Sequence, residues 1–188
     1  MITCGVLLAA GAGTRFGGAH HKLLSVVGGR PVWLLSLQHL LDARLDHVVV
    51  VTGAVHLDLP PSVIPCHNPD FARGQATSLQ SALEVADGLG ADAVVVGLAD
   101  QPFIEPSAWR AVADAPAECA IAVAVYGGRR GPNPVRLARS VWPLLPLSGD
   151  EGARTVIRLH PELVCDVPCL GSVADIDTLE DLERWKNC

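Results

Sequence analysis

Three stretches of this chain are apolar with almost no interruption: Thr3–Ala9, His47–Thr52 (HVVVVT) and Ala93–Leu98 (AVVVGL). A half-exposed strand alternates polar and apolar residues. A strand apolar on both faces is covered on both, as in a parallel sheet between layers of helices. Residues 119–125 form a fourth such run and residues 62–66 a weaker one. Between the runs, apolar residues recur at helical spacing. Pro31, suited to a first helical position, opens a stripe with Val32, Leu34, Leu35, Leu37 and Leu41. Thr77 or Ser78 opens a second helix with Leu79, Ala82, Leu83 and Ala86, and Pro106 a third with Trp109 and Val112. Asp150 caps a fourth, with Val156, Ile157 and Leu159. Asp177 caps the last, with Glu180 three residues on in a capping-box pattern. Strand and helix in alternation predict the α/β class: a three-layer α/β/α sandwich with a mostly parallel sheet. Residues 126–148 break the rhythm with Gly127, Gly128, Gly131, Pro132, Pro134, Pro143 and Pro146, and are expected to form a short antiparallel excursion at the sheet edge. At 188 residues and without internal repeats, the whole chain, 1–188, is expected to be a single domain. A chain of that size buries about 70% of its unfolded surface and needs no staple to hold its core.

The charge balance narrows the partners. Fourteen basic side chains face twenty acidic ones, only Lys22 and Lys186 being lysines, and no basic run exists. A nucleic-acid surface is therefore not expected. No stretch of 18 apolar residues exists to cross a bilayer. Residues 1–10 lack a leading basic residue and run into a Gly-rich turn, so they are read as a buried strand rather than a signal peptide, and the protein as cytoplasmic. The six cysteines are scattered, and Cys165 and Cys169 have no second pair to complete a zinc site. Buried thiols are the expectation.

Open α/β sheets bind ligands beyond the carboxyl ends of their strands. The first such end is Leu8-Ala9-Ala10-Gly11-Ala12-Gly13-Thr14-Arg15-Phe16-Gly17-Gly18. Glycines let a ligand approach the backbone, and converging N–H groups make an anion nest, to which Arg15 and Lys22 add charge. The third glycine comes one residue late for a dinucleotide fingerprint, which disfavours an NAD-dependent oxidoreductase, and no Gly-Lys-Ser/Thr marks a P-loop. Asp100 ends another buried strand; as Asp before x-Pro it also suits a turn. Thr52 and Gly53, ending the second long strand, are placed to border a base. Asn68 and the segment 74–78 can hydrogen-bond a base edge or ribose, although Ser78 is equally suited to capping a helix.

The segment LAAGAGTRFGG…HKLL resembles the signature of the MobA-like nucleotidyltransferases. Further matches follow in order: NPDFARGQATSL at 68–79, VVGLADQP at 95–102, GDEGAR at 149–154 and DIDTLEDL at 175–182. The last three, with the second Ala of LAAG, look most like the molybdenum cofactor cytidylyltransferases. The resemblance implies a Rossmann-like nucleotidyltransferase fold and transfer of CMP from CTP to a molybdopterin-type cofactor with release of pyrophosphate. It implies Mg²⁺ as cofactor, held by Asp100 and Asp177, with Asp175 as the alternative to Asp177. It puts Arg15, Lys22 and Asp100 in catalysis, and Leu8, Ala9, Ala10, Gly11, Ala12, Gly13, Thr14, Arg15, Lys22, Thr52, Asn68, Gly74 and Ser78 around the nucleotide. Arg154 would meet the second substrate, and a recipient molybdenum enzyme is a further partner. Where relatives read Arg-Gly-His-Pro-Val, this chain has Arg130-Gly131-Pro132-Asn133-Pro134-Val135, which leaves the acceptor open. Guanylyl transfer, another phosphorylated acceptor, and a non-catalytic protein that carries the cofactor are the alternatives. His20 and His21, just before Lys22, have no role in this reading.

Overall fold

The opening apolar run becomes strand β1 (Thr3–Ala9), and every residue of it is buried. The computed structural model, which describes residues 1–14, 16–17 and 20–185, places β1 third in a seven-stranded sheet, with a strand on either side. A two-stranded ribbon, β2 (Val26–Val27) with β3 (Arg30–Pro31), follows the first loop. Strands β4 (His47–Thr52), β5 (Ile64–His67) and β6 (Ala93–Leu98) lie parallel to β1. Register pairs Leu8 with Val51 on one side and Leu98 on the other, so these strands end together, where parallel sheets open to ligands.

Helices cover both faces. Cys4, Val6 and Leu8 pack with Leu79, Ala82 and Leu83 of α2 (Gln75–Gly88) and with Val156 of α4 (Arg154–Leu159). Leu7 and Ala9 point the other way, to Leu37 and Leu40 of α1 (Val32–Asp42) and Trp109 of α3 (Pro106–Ala113). Each large apolar side chain buried in these layers contributes about 1.5–3 kcal/mol. The three-layer architecture expected from the runs is present. α1 and α3 begin within a residue of their proline signals. α2 begins earlier than Thr77, at Gln75, and Asp150 does not cap α4, whose preceding residue is Ala153.

The excursion differs in place. β7 (Ile121–Tyr126) turns through Gly127-Gly128 into β8 (Arg129–Ala138), which lies between β6 and β7, antiparallel to both, and is no edge. Its residues Asn133, Val135, Arg136 and Leu137 are all buried. Arg136 hid this from the apolar pattern. Its two terminal guanidinium nitrogens donate to the carbonyls of Ala115 and Cys119 (both 2.5 Å) and Pro116 (3.0 Å). The edge is β9 (Val164–Pro168), parallel to β7 and not foreseen. The expectation of thiols only is also corrected, because Cys119 and Cys165 form a disulfide that joins the loop before β7 to β9. Cys4, Cys66 and Cys169 are free. Among the described residues, no helix is long and apolar enough to cross a membrane.

A satellite core positions the chain's last segment. Phe16, Val27, Val32 and Ile176 bury together, with Trp185 of α5 (Leu179–Trp185) against Phe103 at a ring separation of 4.4 Å.

Candidate active site

The Gly-rich segment after β1 lines a cleft of about 840 Å³ beyond the strand ends. Leu8, Ala9, Ala10, Gly11, Ala12, Gly13 and Thr14 all border it. Arg15 lies outside the described residues. Opposite stand Asp100, after β6, and Asp175 and Asp177, before α5. The two acidic segments are tied by a backbone hydrogen bond, Ile176 N–H to the Asp100 carbonyl (2.9 Å), and by burial of Ile176. Residues 78 and 155 positions apart in sequence thus meet: the Lys22 ammonium donates to Asp100 Oδ2 (2.6 Å) and to Asp177 Oδ1 (2.5 Å).

Asp177 does not cap the last helix. Thr178 does: its Oγ1 accepts the Asp181 N–H (3.2 Å) while Asp181 Oδ2 accepts the Thr178 N–H (2.9 Å), a reciprocal box. The Asp177 carboxylate is thereby left to face Lys22. Burial alone would lower the pKa of this lysine, but the charges and hydrogen bonds of Asp100 and Asp177 leave it raised, so the ammonium stays charged. The Asp175 carboxyl is held above the usual aspartate range, by desolvation and then by the charges of Asp177 and Asp100.

The donors fit a hard divalent cation. Two carboxylates converge on one positive charge, and Asp100 Oδ1 is buried with no hydrogen-bond partner among the described residues. No group of three or more His, Cys, Asp or Glu among the described residues could hold a metal by itself. An ion here would need oxygens from a ligand.

Helix α2 borders the cleft with Gln75 and Ser78. Gly74 precedes it with φ +108°, and a Cβ there would stand 2.5 Å from the Gly149 backbone, so only glycine lets loops 70–74 and 146–150 close on each other. Gln75, within the segment 74–78 expected to meet the nucleoside, does border the cleft, and so does Asp150, which the sequence offered only as a helix cap. Asn68 lies elsewhere than expected. It is 2% exposed, does not border the cleft, and its amide donates to Thr77 Oγ1 and Ser78 Oγ (both 2.9 Å), bracing α2 from behind. Thr52 is not on the cleft wall either; its hydroxyl reaches back to the Cys66 carbonyl (3.5 Å). Arg154 opens α4 on the cleft and on a narrow apolar annex behind it that also takes in Asn133 and Val135. Arg130 pairs with Asp166 (2.5 Å), away from this wall.

The profile described as "MobA-like NTP transferase domain" matches residues 5–171. The chain belongs to the MobA-like NTP transferase family. It is 35% identical to the purine catabolism protein PucB of Bacillus subtilis over 95% of this chain and 93% of the relative. A molybdenum cofactor guanylyltransferase of Cereibacter sphaeroides is 29% identical over 74% of this chain and 68% of its own. A nicotine blue oxidoreductase of Paenarthrobacter nicotinovorans is 29% identical over 96% and 94%. Among solved structures, Rv0371c of Mycobacterium tuberculosis superposes with a TM-score of 0.80 at 26% identity, covering 97% of this chain and 96% of that one. The same protein has been solved in complex with manganese (TM-score 0.76, covering 99% and 98%). This chain is thus a nucleotidyltransferase of the MobA-like family.

Proposed function

We propose that this protein transfers CMP from CTP to the terminal phosphate of a molybdopterin-type cofactor and releases pyrophosphate. The observation that carries the reading is the Lys22 ammonium between the Asp100 and Asp177 carboxylates, on the far wall of a cleft whose near wall is the Gly-rich turn. Peptide N–H groups of residues 11–14 receive the β- and γ-phosphates. Lys22, once drawn off its carboxylates by the triphosphate, neutralises charge that develops on pyrophosphate. Arg15, from the same turn, adds a fork of donors to those oxygens. Asp100 and Asp177 would hold Mg²⁺, with Asp175 at their side; when bound, the ion supplies charge neutralisation at the reacting phosphates. An acceptor phosphate oxygen bonds to the α-phosphorus, and the α–β bridging bond breaks with its electron pair leaving on pyrophosphate. The nucleophile is already anionic, so positioning and electrostatics suffice, and no side chain need act as base. Arg154 meets the acceptor's phosphate from the annex side. Ser78 and Gln75 line the nucleoside end, with Thr52 and Asn68 behind them as supports. The preference for CTP and the pterin acceptor rest on the resemblance of residues 95–102, 149–154 and 175–182 to cytidylyltransferases.

The test is pyrophosphate release from CTP and from GTP with Mg²⁺ and a molybdopterin acceptor, for wild type and Asp100→Ala. Release from CTP that Asp100→Ala abolishes supports the reading. A GTP preference moves the chain to guanylyl transfer. Equal release by both proteins, or none by wild type, removes it. The relative named as a nicotine blue oxidoreductase, matched over 96% of this chain, favours a second reading, an oxidoreductase. Consumption of NADH or NADPH by the same preparation would favour that instead.

A further inference from the structure

Two histidines precede Lys22, and one of them has a defined task in the fold. His21 Nδ1 accepts the Leu23 N–H (3.3 Å), which caps the short 3-10 turn Lys22–Leu24. Because Nδ1 accepts, the ring in this arrangement is neutral and its proton sits on Nε2. Nε2 lies 2.9 Å from the Gly11 carbonyl oxygen and therefore donates to it. The same ring flanks Gly13: a Cβ there would stand 3.2 Å from His21 Nε2 and 3.3 Å from Lys22 Cγ. The imidazole therefore clips the glycine-rich turn at Gly11 to the element that carries Lys22, and stands close beside Gly13.

The clipped peptide matters for an anion. In a trans peptide the C=O and the next N–H point in opposite directions. Holding the Gly11 oxygen on His21 aims the Ala12 N–H the other way. A reversal of this peptide would exchange a donor for a carbonyl oxygen, which repels phosphate. Little in the packing prevents such a reversal, because Gly11 is exposed and a Cβ on it would meet nothing within 4 Å. We propose that His21 is a positioning residue for the nucleotide's phosphates: its Nε2–H fixes the Gly11–Ala12 peptide with the N–H outward for the triphosphate, and its Nδ1 couples that turn to Lys22. This deepens the reading given above and rests on it.

The two ring nitrogens can be tested separately. Glutamine places its amide nitrogen near the position of Nε2, and asparagine places a polar atom near that of Nδ1. Calorimetric titration with CTP and Mg²⁺, steady-state kinetics and thermal melts would be run on wild type, His21→Ala, His21→Gln and His21→Asn. The expected result is a Kd about tenfold weaker for Ala and Asn, with Gln within about threefold of wild type. KM should follow Kd while kcat at saturation stays near wild type, because the turn grips ground state and transition state alike. Tm should not rank the variants in this order. Rescue by Asn and not by Gln would reduce His21 to a turn cap and overturn the proposal, as would an unchanged Kd in His21→Ala. Wild type that binds neither CTP nor GTP would instead bring down the nucleotidyl-transfer reading, and this inference with it.

Discussion

At the scale of single residues, charge decides. The Lys22, Asp100 and Asp177 side chains are 13, 16 and 22% exposed, so water screens them only in part. In Lys22→Met the two carboxylates lose their shared counter-charge. The variant should melt below wild type in EDTA, and Mg²⁺ or Mn²⁺ should raise its Tm more than that of wild type; equal metal-induced shifts would show that the carboxylates do not share one cation. Its kcat should fall about 10²-fold or more if Lys22 stabilises charge in the transition state. Asp175 gives a pH prediction. Its folded-state pKa is raised, so the folded chain holds this proton more tightly than the unfolded one. Its favourable contribution is present below the usual aspartate range and lost as pH rises through the raised value, leaving a penalty at pH 7. Asp175→Asn should therefore raise Tm at pH 7 in EDTA, with the gain fading at about pH 3. Lys22 and Asp100 stood out in the sequence because a Gly-rich turn and a buried strand's end marked their places; Asp177 was singled out only through the resemblance of residues 175–182. Asn68 was misleading because an amide that braces a helix and one that reads a base look alike in sequence.

At the scale of elements, the switch of helix cap from Asp177 to Thr178 separates two effects that the sequence left fused. Thr178→Ala removes the reciprocal cap with Asp181 and should destabilise the protein by about 1 kcal/mol with kcat near wild type. Asp177→Asn keeps the cap and should lose activity without a matching loss of Tm; melts and turnover on the same samples check both. The parallel strands were readable because burial on both faces leaves uninterrupted β-branched runs. β8 was misplaced because Arg136 and Asn133 interrupt its apolar pattern. Each is buried only because it is hydrogen-bonded, Arg136 to loop carbonyls and Asn133 to Gln101 at 2.9 Å. β9 offered no run at all: its residues are half-buried or exposed at the sheet edge.

At the scale of the molecule, three layers bring two distant acidic segments over the end of β1, and the edge strand leads directly into the segment that carries Asp177. The Cys119–Cys165 disulfide spans 46 positions and fastens that edge. Reduction, or Cys165→Ser, should lower stability by about 2–4 kcal/mol, read as a drop in denaturant midpoint; an unchanged midpoint in reductant would mean that the edge does not depend on this link. Sequence could not reveal the pairing, since six scattered cysteines fix no connectivity. A crystal structure with CTP and Mg²⁺ would show what fills the cleft these layers create. The triphosphate should lie against the amides of residues 11–14, the ion on Asp100 and Asp177, and the Lys22 ammonium should have moved from the carboxylates to a phosphate. A nucleotide bound elsewhere, with Lys22 still between the two aspartates, would contradict this arrangement.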